Sequence, residues 1–142
     1  MHFLDELFSQ GFHVKVINRS RNLEIAPSNS LTPAMIEKLK AEKQSLIREY
    51  RKRKRNGGVG TELKRLIPKI FKSKGCNCDE YAEWLDVRGL DWCVNHRDGI
   101  VATLAAKARQ IRPTKAWGWV SKKGASWFVD TAIRRVSKRA NV

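Results

Sequence analysis

Gly75-Cys76-Asn77-Cys78 is followed, fifteen residues after its second cysteine, by Cys93 within Trp92-Cys93-Val94-Asn95-His96. All three cysteines of the 142-residue chain lie in this window, with one of its three histidines beside the last of them. To the left, residues 1–56 carry a self-contained pattern of helix, hairpin and helix. To the right, residues 113–142 are basic and rich in tryptophan. The window thus centres a helical unit at 57–112, and the whole chain reads as a mainly α, α+β fold: an αββα module, a Cys-centred helical unit and a basic helical tail.

The spacing C-x-C-x14-C-x2-H makes Cys76, Cys78, Cys93 and His96 a candidate metal set. Thiolate and imidazole ligands suit zinc, and four of them close a tetrahedral structural site. Cys93 and His96, three apart on a helix, can point to one side. An iron–sulfur cluster on the three cysteines and simple reduced thiols are the rival readings. His96 also falls in the stripe Trp92, His96, Ile100, Leu104 and Ala108, where a packed core histidine is the ordinary outcome. A unit this short has little core of its own, and metal closure is a common remedy. The odd cysteine count and the closeness of Cys76 to Cys78 argue for a reducing compartment over a disulfide framework.

On the left, Leu4, Leu7 and Phe8 give residues 1–11 one apolar side, with Gly11 as a stop. Phe12, Val14 and Val16 then alternate with His13, Lys15 and Ile17, the period of a half-buried strand. Asn18-Arg19-Ser20-Arg21-Asn22 is turn-like, and Leu23-Glu24-Ile25 returns. Thr32-Pro33 supplies a hydroxyl cap and a proline at the first helical position. Met35, Ile36, Leu39, Leu46, Ile47 and Tyr50 continue as an apolar stripe, predicting a helix that runs to about Arg53 and ends before Gly57-Gly58.

The stretch LFSQGFHVKV…LEIAP…LTPAMIEKLKAEKQSLIREY resembles the N-terminal docking domain of TubC-type megasynthases over residues 1–52. The resemblance implies a small dimerising unit whose hairpin binds a partner segment, here through Val14, Lys15, Val16, Arg19 and Arg21. It implies a docking module and nothing about peptide synthesis.

Gly58-Val59-Gly60-Thr61 lacks the spacing and the Lys-Ser/Thr ending of a phosphate loop. It reads as a linker with Thr61 capping a helix that carries Leu63, Leu66, Ile67, Ile70 and Phe71, interrupted at Pro68. Asp79 is positioned to cap a helix that stops at Gly89, and Asp91 to cap a further one running to Pro113. The segment GVGTELKRLIPKI…GCNCDEYAEWLDVRGLDWCVNHRDGIVATLAAKA is similar to a unit of small phage and bacterial proteins, some attached to glycosyltransferases. This chain has His96 where those relatives tend to carry asparagine. The similarity implies a mobile-element origin and a shared cysteine motif, with no activity attached.

The net charge of +15 is the strongest global signal. Self-repulsion on that scale is usually tolerated where a polyanion neutralises it, so nucleic acid is the first expected partner. The candidate phosphate contacts are Arg51, Lys52, Arg53, Lys54 and Arg55, then Lys115, Lys122, Lys123, Arg134, Arg135, Lys138 and Arg139, with Trp117 and Trp119 free to stack on bases. The bland alternatives are a solvated helix end and tryptophans in a small core. Trp127, Val129, Ile133 and Val136 read as the apolar side of a last helix from about Ala125 to Arg139.

No run approaches the roughly 18 apolar residues of a membrane span. The acidic pair Asp5-Glu6 stands where a signal peptide would be basic, so a cytoplasmic protein is expected, or a virion component if phage-encoded. There is no Ser–His–Asp pattern, no HExxH and no paired-carboxylate motif. The sequence therefore reads first as a non-enzymatic nucleic-acid-binding or assembly accessory protein, with homodimerisation open. An adaptor for an acidic protein partner comes second, and a redox or metal-dependent enzyme third.

Overall fold

The computed structural model describes residues 2–17, 21–66, 78–111 and 115–141, with backbone alone at Cys78, 109–111 and 115–122. The fold is mainly helical with one two-stranded antiparallel sheet near the N-terminus, the α+β class expected. It divides into two compact units, Met1–Arg55 and Asn56–Val142. Residues 57–112 and 113–142 therefore share one unit, because the last helix supplies part of the core that the central helices lack.

In the first unit, α1 (Phe3–Ser9) buries Phe3, Leu4, Leu7 and Phe8. It closes in a Schellman turn: Phe12 N–H donates to the Leu7 carbonyl and Gly11 N–H to that of Phe8, both at 3.0 Å. The turn requires a left-handed residue, and Gly11 provides it at φ 84°. Strand β1 (His13–Val16) pairs with β2 (Leu23–Ala26) in the register Val14↔Ile25 and Val16↔Leu23. Those four side chains share one face. Lys15 and Glu24 stand opposite each other on the exposed one. The Asn18–Ser20 part of the expected turn lies outside the described residues.

Helix α2 (Pro33–Asn56) starts as expected, with Thr32 Oγ1 accepting from the Met35 N–H at 3.2 Å. It buries Leu39, Leu46, Ile47 and Tyr50, whereas Ile36 is left exposed. It runs to Asn56, a turn beyond Arg53, and ends before Gly57-Gly58 as expected. Arg53 is held within its own unit. The guanidinium donates to both Asp5 carboxylate oxygens, at 2.7 and 2.9 Å, and to Glu49 at 2.9 Å. Burial pushes the Asp5 carboxyl up, but the Arg53 hydrogen bonds and charge outweigh it and leave it below its ordinary 3.8. The Arg53 hydrogen bond likewise holds Glu49 below 4.5.

Both carboxyls have lowered folded values, so their contribution is complete above the unfolded values and is lost as pH falls through the folded ones. Arg53→Ala is expected to cost about 1–2 kcal/mol at neutral pH. It should also flatten the loss of stability below pH 4.5. Denaturation followed by circular dichroism at neutral and acid pH checks this, and an acid limb as steep as the wild type's would contradict it.

The second unit holds α3 (Val59–Leu66), α4 (Cys78–Arg88), α5 (Leu90–Asn95), α6 (Arg97–Ile111) and α7 (Lys115–Ala140). Val59, Leu63, Leu85, Cys93, Ile100, Val101, Ala105, Ala125, Val129 and Ala132 form its core. The expected linker Gly58-Val59-Gly60-Thr61 instead opens α3 at Val59, and Thr61 lies inside the helix. Its cap comes from elsewhere in the chain. Asp86 of α4 accepts from Thr61 N at 2.9 Å and from Thr61 Oγ1 at 2.6 Å. The expected continuation of this helix through Ile67, Pro68, Ile70 and Phe71 lies outside the described residues.

The single long helix expected across His96 is broken there, since His96 closes α5 with φ −112° and ψ 21°. Arg97 opens α6 and clamps α7, its guanidinium donating to both Asp130 carboxylate oxygens and to Ser126 Oγ. Helix α7 is longer than expected, beginning at Lys115, and its inward side is Ala125, Val129 and Ala132. Trp127, expected on that apolar side, is 59% exposed. At position 127 the helical phase carries a side chain away from the line joining 125, 129 and 132.

Candidate nucleic-acid interface

Of the basic run that ends α2, Arg51, Lys52, Lys54 and Arg55 are exposed, while Arg53 serves the internal pairs with Asp5 and Glu49. Cations over the last turns also suit the negative end of the helix dipole. In the second expected cluster, Arg134 and Lys138 of α7 are exposed, as is Lys123. Arg135 and Arg139 are exposed too, and they also pair with Glu62 of α3, Arg135 at 3.5 Å. Lys115, Trp117, Trp119 and Lys122 lie on α7, and their side chains are outside the described residues.

Glu62 is the buried acid of this unit, 1% exposed, and it also accepts from Arg65 at 2.8 Å. Burial pushes its carboxyl up, but the hydrogen bond and charge of Arg139, with the charges of Arg65 and Arg135, bring it below the ordinary value. The carboxylate is thus ionised at neutral pH and serves as an internal anchor for three arginines. Arg135 and Arg139 thereby hold α7 against α3 while remaining exposed to solvent.

In the hairpin, Val14 is buried and Val16 half-buried, both on the face they share with Leu23 and Ile25. Lys15 and Arg21 are exposed; Arg19 lies outside the described residues.

Of the four candidate metal ligands, the described side chains are those of Cys93 and His96, one buried and the other exposed. Cys93 is fully buried, its thiol directed at the Leu85 carbonyl at 3.7 Å. Burial, with the Asp86 charge behind it, pushes that thiol up to about 12. His96 is exposed on the surface. Its ring stacks on Trp92 at 3.9 Å between centroids, and Nδ1 lies 2.9 Å from the Trp92 carbonyl oxygen. Cys76 and the side chain of Cys78 lie outside the described residues. Among the described residues no cluster of three or more His, Cys, Asp or Glu is placed to hold a metal ion.

The Trp-Cys segment joins an aromatic ladder. Tyr81 stacks on Trp84 at 5.6 Å, Trp84 meets Trp92 edge-on at 4.9 Å, and Trp92 carries His96. The Arg88 guanidinium lies 3.5 Å over the Trp84 ring and 5.0 Å from that of Trp92. A desolvated cation over two indoles is a substantial packing element, and Arg88 is only 5% exposed. Two of these tryptophans are thus structural.

The important internal groups Glu62, Asp86, Arg88 and Arg97 were not singled out by sequence reasoning. Two of them left a signal. Glu62 lies on the helical face shared by Val59 and Leu66, an acid on an apolar stripe. Arg88 stands four residues from both Trp84 and Trp92. Among the described residues no helix is long and apolar enough to cross a membrane. Comparison of the chain with protein-family models, with curated proteins and with solved structures finds no match.

Proposed function

We propose that this chain is a non-enzymatic nucleic-acid-binding accessory protein, held on its partner mainly through phosphate contacts. The observation that carries the reading is the density of exposed positive charge: Arg51, Lys52, Lys54 and Arg55 stand exposed within little more than one helical turn. A net +15 carried by exposed cations of this density attracts a polyanion without any base-specific contact.

Binding should fall linearly with the logarithm of salt concentration, and replacing the four exposed cations of α2 by alanine should reduce the slope on duplex DNA by about three to four. Anisotropy titrations of labelled DNA and RNA over a salt series measure this. Absence of binding at low salt, with capture of an acidic protein instead, would favour an adaptor for that partner. An unchanged slope in the fourfold variant would move the interface off α2.

A further inference from the structure

Helix α7 shows the solvent a stripe of exposed side chains. Lys123, Trp127, Thr131, Arg134 and Lys138 follow one another at intervals of four, four, three and four residues, which places them on one line of the helix. The line runs about 22 Å along the axis. Lys123, Arg134 and Lys138 are exposed, and Trp127 is 59% exposed with its ring held edge-on by Phe128 at 5.2 Å. The helix is fixed from behind by Ala125, Val129 and Ala132 in the core, and from the side by Arg97 on Ser126 and Asp130.

Asp130 is the one acid after residue 100. It lies one turn from Trp127, but Arg97 neutralises it through a two-oxygen contact, and its carboxyl is held below the usual range chiefly by that hydrogen bond. The stripe is thus an indole in a line of cations with its nearby negative charge cancelled. That combination is complementary to a strand that offers both phosphates and unpaired bases. A duplex offers the phosphates alone, since its bases are stacked on each other.

We propose that the outer stripe of α7 is a ridge for single-stranded nucleic acid, with Trp127 stacking on a base and Arg134, Lys138 and Lys123 contacting the flanking phosphates. This rests on the nucleic-acid reading above and adds strand preference to it. Titrations of labelled oligo-dT and of a duplex of equal length separate the two. Trp127→Ala is expected to weaken oligo-dT binding roughly five- to a hundredfold, and duplex binding by less than about twofold. Trp127→Phe should retain most of the affinity, because the ring face is what is used. Arg134→Ala with Lys138→Ala should reduce the salt slope on oligo-dT by about 1.4.

An exposed side chain on a helix already fixed by its core should leave the melting temperature unchanged in Trp127→Ala, so a loss of binding is not a loss of fold. If oligo-dT binds the Trp127→Ala variant as tightly as wild type while both bind duplex, the ridge is overturned and the phosphate-binding reading stands. If the wild type binds neither, both fall.

Discussion

Replacing Gly60 by alanine is expected to destabilise the second unit by about 3 kcal/mol, the upper end of the usual cost of overpacking. A methyl group there would lie 1.9 Å from the Ala82 carbonyl oxygen, 2.5 Å from its carbon and 2.7 Å from the Ala82 Cα. All three atoms belong to the backbone of α4, so no rotamer change relieves the collision. Helix α3 must shift as a body. That shift would withdraw Val59 and Leu63 from the core they share with Leu85 and would stretch the Thr61–Asp86 bonds.

Gly99 of α6 is the matched control, because nothing lies within 4 Å of the corresponding position. Gly99→Ala should stabilise by about 0.5–1 kcal/mol through helix propensity alone. Urea denaturation of the two variants beside the wild type separates the effects. A Gly60→Ala protein within about 1 kcal/mol of wild type would mean that α3 and α4 do not meet as described.

The second large effect belongs to Asp86. Its carboxylate supplies the start of α3 with the acceptors that the local sequence lacks, bonding the Thr61 N–H and hydroxyl from another helix. Asp86→Ala removes a cap and leaves buried donors without a partner, an expected loss of about 2–4 kcal/mol. Asp86→Asn keeps an acceptor oxygen and should lose about 1 kcal/mol.

The pH dependence supplies a separate check. Burial raises the Asp86 carboxyl above 3.8, although hydrogen bonds from Thr61 and its neighbours oppose the shift. A raised acid makes its best contribution when protonated and loses it as pH rises through the folded value, the reverse of Asp5, Glu49 and Glu62. Wild type should therefore gain on Asp86→Asn as pH is lowered. Parallel stability curves for the two proteins would show that the carboxyl is not buried in this way.

These two positions also mark where the sequence was hard to read. The elements of the first unit were legible because each is announced locally: a glycine stop at Gly11, alternation through Val14 and Val16, and a Thr-Pro start at Thr32. In the second unit the deciding contacts are distant. Nothing near Val59 offers a cap, so the segment from Gly58 to Thr61 resembled a linker until Asp86 was brought to it.

The same limit governed the cations. Composition shows fifteen excess positive charges but not which arginines find a carboxylate, and Arg135 and Arg139 find Glu62 only through the fold. The regular four-residue spacing through His96 suggested continuity because spacing carries no record of a change in backbone direction. Trp127 was assigned to the interior on hydrophobicity alone. Its helical phase relative to Ala125, Val129 and Ala132 already placed it elsewhere.

The ion pair between Glu62 and Arg139 spans 77 residues of chain, and this affects how the protein is made. At roughly 5–20 residues per second, a ribosome delivers the arginine some four to fifteen seconds after the glutamate. During that interval α3 has α4 to clasp but not the helix that later covers it. The first unit waits less, because Arg53 follows its partner Asp5 by 48 residues. Synthesis from the N-terminus therefore brings the hairpin module to completion first, while the basic helical unit stays open until its last turn has emerged.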